Sequence, residues 1–113
     1  MGSILEKAKA HYQEKLSAEP RRLDVPEWDS VVYVKPTMNL ARMGEILELT
    51  NQNKTAEAMA LTLCYRLVDE KGQPVFHKAE RLELLRTCDP DVLSRLVSEV
   101  NSDQLNPEDV SRD

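Results

Sequence analysis

Glycine is scarce in this sequence: three residues in 113, none at the G-x-G or G-x-x-x-x-G spacing. That excludes the glycine-rich loops that cradle phosphates and dinucleotides. Only two cysteines occur, Cys64 and Cys88. They are too few for a disulfide scaffold and point to a reducing compartment. No window approaches about 18 uncharged apolar residues, so no transmembrane helix is expected. Glu6, Lys7 and Lys9 interrupt the apolar stretch near the N-terminus, so no secretory signal peptide is expected either. Positive charge is also in short supply, with 15 Lys/Arg against 20 Asp/Glu and a formal net charge of −5. Free nucleic acid needs a basic stripe that displaces its counterions. The one adjacent basic pair, Arg21-Arg22, is flanked by Glu19 and Asp24 and reads as a solvated hairpin edge. Direct DNA binding is therefore not expected.

What remains is an ordinary soluble composition, 41% hydrophobic and 31% charged. A chain of this length buries roughly 65% of its unfolded surface, enough for one core without disulfides or metals. The acidic excess is uneven: residues 1–56 hold eight Lys/Arg and eight Asp/Glu, residues 57–113 seven and twelve. Much of it falls in residues 103–113, where Asp103, Glu108, Asp109 and Asp113 face Arg112. The apolar period is lost there, and the segment reads as an acidic, disordered tail behind a single domain of residues 1–102.

Residues 3 to about 18 predict an amphipathic helix, with Leu5, Ala8, Tyr12 and Leu16 at three- and four-residue spacing and Ser3 as cap. Residues 22–25 and 31–35 predict two short strands joined by the five-residue loop Pro26-Glu27-Trp28-Asp29-Ser30. From Asn39 the period changes. Leu40, Met43, Ile46, Leu47 and Leu49 predict a second helix capped by Thr37 or Asn39, with Gly44 in its middle marking a close helix approach. Ala56, Met59, Ala60, Leu63, Cys64 and Leu67 predict a third, starting at Thr55. Residues 69–74 read as a turn, and Val75-Phe76 as no more than an extended pair. Residues 78–87 predict a fourth helix. Asp89-Pro90-Asp91 is a strong start signal for a fifth, which runs through Val92, Leu93, Leu96, Val97 and Val100. The expected fold is mainly α with a small β-hairpin (α+β): about five helices, with the hairpin between the first and the second.

Nothing in this layout carries chemistry. Among His11, His77, Cys64 and Cys88 no two stand at C-x-x-C or H-x-x-x-H spacing, so no metal or cofactor is expected. Cys64 falls on the core stripe of its helix. Cys88 precedes a helix N-terminus, which would stabilise a thiolate, yet His77 lies in another segment and no third group orients it. Asp89/Asp91 and Glu80/Glu83 read as a cap and a solvated helix face. No catalytic residue is assigned, and the chain is read as a non-enzyme.

The remaining candidates lie on the surface. Trp28 either plugs the hairpin onto the helices or anchors a partner. The hairpin separates the first helix from the others, so its apolar stripe must meet its own domain, a second copy or a helical client. Met38, Met43 and Met59 fill the core or form a compliant groove. The candidate partner-binding residues are Leu5, Tyr12, Leu16, Trp28 and Tyr33.

In chain order stand a short N-terminal helix, Val25-Pro26-Glu27-Trp28-Asp29 and Val31-Val32-Tyr33-Val34-Lys35-Pro36. An alanine-rich helix with Ala56, Ala58 and Ala60 follows, then Val68-Asp69-Glu70-Lys71-Gly72-Gln73-Pro74-Val75-Phe76, then Asp89-Pro90-Asp91-Val92-Leu93-Ser94-Arg95-Leu96. Over residues 4–100 this order of features resembles the tail assembly chaperones of long-tailed bacteriophages and prophages. The resemblance implies a helper in the cytoplasm of the bacterial host, absent from the mature virion. Such a helper binds the long, aggregation-prone tape measure protein, keeps it soluble and helps recruit major tail tube subunits. It implies that a frameshift-extended form contacts the tube protein, with the acidic tail as the point of extension. Homo-oligomerisation would multiply binding sites along the client. No cofactor, nucleic acid, membrane or catalytic residue comes with the resemblance. The competing expectation is a small structural virion component, a head–tail connector or tail completion protein. A transcriptional regulator fits less well, since the last helix offers Arg95 alone beside Asp91 and Glu99.

Overall fold

Ser3 opens the first helix, α1 (Ile4–Leu16), by accepting a hydrogen bond from the Glu6 N–H at 3.1 Å. The computed structural model describes residues 3–102; the expected tail, residues 103–113, lies outside the described residues, as do Met1 and Gly2. Glu6 and Lys15 sit at the ends of α1 where the helix dipole favours their charges. After Pro20 the chain forms β1 (Arg21–Val25) and returns antiparallel as β2 (Ser30–Val34), with Leu23 opposite Val32. Alternation then turns Leu23, Val25, Val32 and Val34 to the core and Arg22, Asp24, Val31 and Tyr33 away from it. The connection is tighter than the expected five-residue loop. Pro26–Trp28 form a 3₁₀ turn, Asp29 takes the left-handed conformation at φ 50°, and Ser30 already pairs with Val25.

Asn39 caps α2 (Leu40–Asn51), accepting from the Arg42 N–H at 2.8 Å. Gly44 departs from expectation: a side chain there would meet nothing within 4 Å, so it marks no close helix approach. α3 (Thr55–Arg66) occupies the middle of the molecule. Its expected stripe places Ala60, Leu63 and Cys64 correctly, but Ala58, Leu61 and Thr62 are buried as well, while Ala56 is exposed. A helix covered on two sides loses the one-sided pattern.

The largest difference lies at the end of α3. Leu67, expected as the last position of its apolar stripe, instead begins β3 (Leu67–Val68), which pairs antiparallel with β2 and makes the sheet three-stranded. The Lys35 N–H donates to the Arg66 carbonyl at 2.8 Å, and the Val75 N–H to the Leu67 carbonyl at 3.2 Å. Those sheet partners take the carbonyls that would otherwise continue the helix. Buried Arg66 adds a bond from Nε to the Lys35 carbonyl oxygen at 2.7 Å. The turn that follows is built on Asp69, whose Oδ1 accepts from the N–H groups of Lys71 and Gln73. Gly72 supplies its positive φ of 83°.

The expected helix over residues 78–87 divides into a 3₁₀ turn, Lys78–Glu80, and α4 (Arg81–Thr87). α5 (Pro90–Asn101) starts as the sequence indicates, with Asp89 accepting from the Asp91 N–H at 3.0 Å. The core has two parts with α3 between them. Leu63 and Leu67 join the inner face of the sheet and Val92, Leu93, Leu96 and Val100 of α5. Ala60, Leu61 and Cys64 face Leu84 of α4, with Ile46 and Leu49 of α2 alongside. The hairpin is fastened to α5 by Arg95, which grips both Glu27 carboxylate oxygens at 2.9 and 3.0 Å, and by Arg21 on the Glu99 carbonyl. The result is the expected helical fold with its hairpin between α1 and α2, enlarged by one strand.

Candidate functional site

Every long helix but α1 joins a core cluster. No residue of α1 is buried; Ile4 is 80% and Leu5 64% exposed, and Tyr12 and Leu16 are half-buried. Tyr12 faces the start of α2. It lines a groove of about 410 Å³ between α1 and the start of α2, together with Met38, Leu40 and Met43. Met38 is buried, whereas Leu40 is 79% exposed and Leu47, one heptad further on, 56%. Tyr12 of α1 and Leu40 and Met43 of α2 therefore share one groove, while Ile4, Leu5 and Leu47 are exposed outside it. Isolated exposed apolar residues need no explanation; several near one groove make this the candidate interaction surface.

The five candidate residues do not form one patch. Leu5, Tyr12 and Leu16 belong to α1. Tyr33 lies on the outward face of the sheet, in a separate depression lined by Pro20, Arg22 and Gly72. Trp28 turns inward: its ring meets that of Phe76 edge-on, with centroids 5.7 Å apart, and both pack against the sheet–α5 core. Leu40 and Leu47 were missed as surface residues because helical period assigned them to the core. A signal existed, since the apolar residues of α2 span about 180° of its circumference, wider than a single core-facing stripe needs.

The polar contacts around α2 hold it in place. Glu45 accepts from the Tyr65 hydroxyl at 2.6 Å and from Lys78 Nζ at 2.8 Å, joining α2 to α3 and to the 3₁₀ turn before α4. Those two hydrogen bonds hold the Glu45 carboxyl below its ordinary range, and the bond to Glu45 raises the Lys78 ammonium. A carboxyl with a lowered folded pKa adds stability above its unfolded value, and that contribution disappears as pH falls through the folded one. Arg81 and Glu57 pair at 3.0 Å between α4 and α3.

The two cysteines differ in burial. Cys64 is 6% exposed, its Sγ lies 3.4 Å from the His77 carbonyl oxygen, and burial pushes the thiol up to about 11. At pH 8 its thiolate fraction is on the order of one in a thousand. Iodoacetamide at that pH is therefore expected to label half-buried Cys88 and spare Cys64 until the protein unfolds. Peptide mass mapping would show it, and equal labelling of both would contradict the burial of α3. Among the described residues no group of three or more His, Cys, Asp or Glu could hold a metal ion. No helix among them is long and apolar enough to cross a membrane.

These features define a small α+β class: a three-stranded sheet and four helices around a two-part core divided by α3, with the first helix outside both parts. The sequence matches no protein-family model and no curated protein. Among solved structures it is similar to the tail assembly chaperone of bacteriophage HK97, with a TM-score of 0.65 and 19% sequence identity. The likeness covers 84% of this chain and 99% of that one, so the two share a fold over the whole length of the HK97 protein.

Proposed function

We propose that this protein is a non-catalytic phage tail assembly chaperone. It binds and solubilises the tape measure protein and helps recruit tail tube subunits during tail assembly. The observation that carries this reading is the fold shared with the HK97 tail assembly chaperone across almost all of that chain. The exposed apolar surface of α1 and α2 supports it physically, because a holdase needs surface that its own core does not consume. Covering the apolar stripes of a long helical client lowers the free concentration of the species that aggregates. Release to the tail tube favours many weak contacts over one tight pocket, and self-association of the chaperone would multiply them. The partners in this reading are the tape measure protein, the major tail tube protein, chiefly through a frameshift-extended form, and further copies of this chain. The site of action is the bacterial cytoplasm, and the mature virion lacks the protein.

The test is co-expression with the longest coiled-coil-like protein encoded immediately downstream. That protein should be insoluble alone, and soluble and co-purified in the presence of this chain. No gain in solubility together with no co-purification would overturn the reading. Stoichiometric recovery of this chain from purified particles would establish a structural virion component in its place.

A further inference from the structure

A pocket of about 400 Å³ opens between the end of β2, α2, α3 and the chain running from Val68 to Lys78. Its rim carries Lys35, Arg42 and Lys78, and its wall includes Tyr65, Val68 and Phe76. Positive charge is thus concentrated at one point of a chain whose formal net charge is −5. Several cations elsewhere in the folded body sit one to one with a carboxylate, as Arg95 does with Glu27 and Arg81 with Glu57. At this pocket a single carboxylate, Glu45, answers Lys78 and the Tyr65 hydroxyl together. The head groups of Lys35 and Arg42 make no hydrogen bond or ion pair among the described residues. The Arg42 guanidinium is instead held over the Tyr65 ring, 4.8 Å from its centroid, which fixes the group and leaves its N–H edges available. Burial first, and then the charges of Arg42 and Arg66, lower the Lys35 ammonium from its ordinary value.

We propose that this pocket binds an acidic peptide segment of a partner protein, an aspartate or glutamate flanked by an apolar residue. The carboxylate would lie between Lys35 and Arg42, where charge-assisted hydrogen bonds are strongest. Its apolar neighbour would cover the part-exposed ring of Phe76. A phosphate fits less well, because anion cradles of that kind use convergent backbone N–H groups. The nearby N–H groups of Lys71, Gln73 and His77 are already taken by the carboxylates of Asp69 and Glu80. A nucleic acid fits worse still, since the charge forms one point and no stripe. The pocket shares no lining residue with the α1–α2 groove, and the inference stands apart from the chaperone reading.

The experiment uses the intact chain and a short, end-blocked, fluorescein-labelled peptide alternating glutamate with leucine, followed by anisotropy at low and high salt. The glutamate peptide should bind at low salt and weaken as salt rises. Its glutamine counterpart should bind at least about tenfold more weakly. Lys35→Gln combined with Arg42→Gln should cost about tenfold in affinity for the glutamate peptide. Arg86→Gln, at an exposed cation elsewhere, should leave that affinity unchanged. Equal binding of the two peptides, no binding by the wild type, or unchanged affinity in the double variant would each overturn the proposal. Inorganic phosphate that displaces the peptide at comparable concentration would make this a small-anion site and overturn the peptide assignment. Should circular dichroism show the double variant unfolded, the salt dependence of the wild type decides: affinity indifferent to salt refutes a carboxylate held by Lys35 and Arg42.

Discussion

Leu63→Ala is expected to lower the unfolding free energy by about 3–4 kcal/mol. Leu63 is 0% exposed and lies where α3 meets both the inner face of the sheet and α5. Removing its isobutyl group loses the transfer energy of the buried carbons and leaves a cavity that must collapse to recover any of it. Collapse is restricted on every side. The strands are held in register by Leu23 opposite Val32 and Val34 opposite Leu67. α5 is clamped to the hairpin by the two-pronged Arg95–Glu27 pair. In a domain of this size each 1 kcal/mol moves Tm by roughly 4–8 °C, so a fall of about 12 °C or more is expected. Leu47→Ala, at a residue 56% exposed on α2, provides the contrast and should change stability by no more than about 0.5 kcal/mol. Urea unfolding of both variants would check the pair. Equal losses would mean that α3 is not the centre of the core.

How much of this was legible in the sequence depended on range. Caps and helix starts were readable because they are local: Ser3, Asn39 and Asp89 each accept from an N–H two or three residues onward. Strands β1 and β2 were readable from short runs that alternate across the sheet. β3 was not, since a two-residue strand has no period, and Leu67 satisfied the helical one. What places Leu67 in the sheet is its pairing with Val34, a contact 33 positions back in the chain. Gly44 misled for a related reason. A glycine in a helix signals either a close approach or open space, and only the neighbouring elements distinguish the two.

The candidate site divided the same way. That α1 is amphipathic was visible, but whether its stripe would be covered by the chain's own core was not. Its C-terminal end is fixed by elements far away: the sheet takes Arg21 directly after Pro20, and α5 holds that strand through Glu99. α1 is thereby carried away from α3, where the buried surface lies. The cationic pocket had no local signature at all. Lys35, Arg42 and Lys78 lie on a strand end, a helix and a turn, and each alone reads as a solvated surface charge.

On the proposed chaperone reading, Leu5→Asp combined with Leu16→Asp is expected to weaken tape-measure binding by at least about thirtyfold while leaving the fold intact. The stability side follows from exposure. Leu5 is 64% exposed and no residue of α1 is buried, so little native packing is lost. Leu5 also stands in the first turn, where an acidic residue complements the helix dipole. Aspartate at Leu16, the last residue of the helix, acts against the dipole, and the net change should stay within about 1 kcal/mol. The binding side follows from burial on the client. A fully covered leucine contributes about 2 kcal/mol; Leu5, 64% exposed, has about two thirds of that left to gain and half-buried Leu16 about a third. Together they amount to about 2 kcal/mol, or roughly thirtyfold in affinity, before any penalty for desolvating two carboxylates. Leu5→Asp with Leu16→Lys separates the causes, because lysine suits the helix C-terminus and removes the same apolar surface. If burial of the stripe holds the client, both double variants lose binding alike, as read by pull-down and by client solubility. A folded variant that still solubilises the client would move the binding surface off α1, and the exposed face of α2 at Leu40 and Leu47 would then be the part left to carry it.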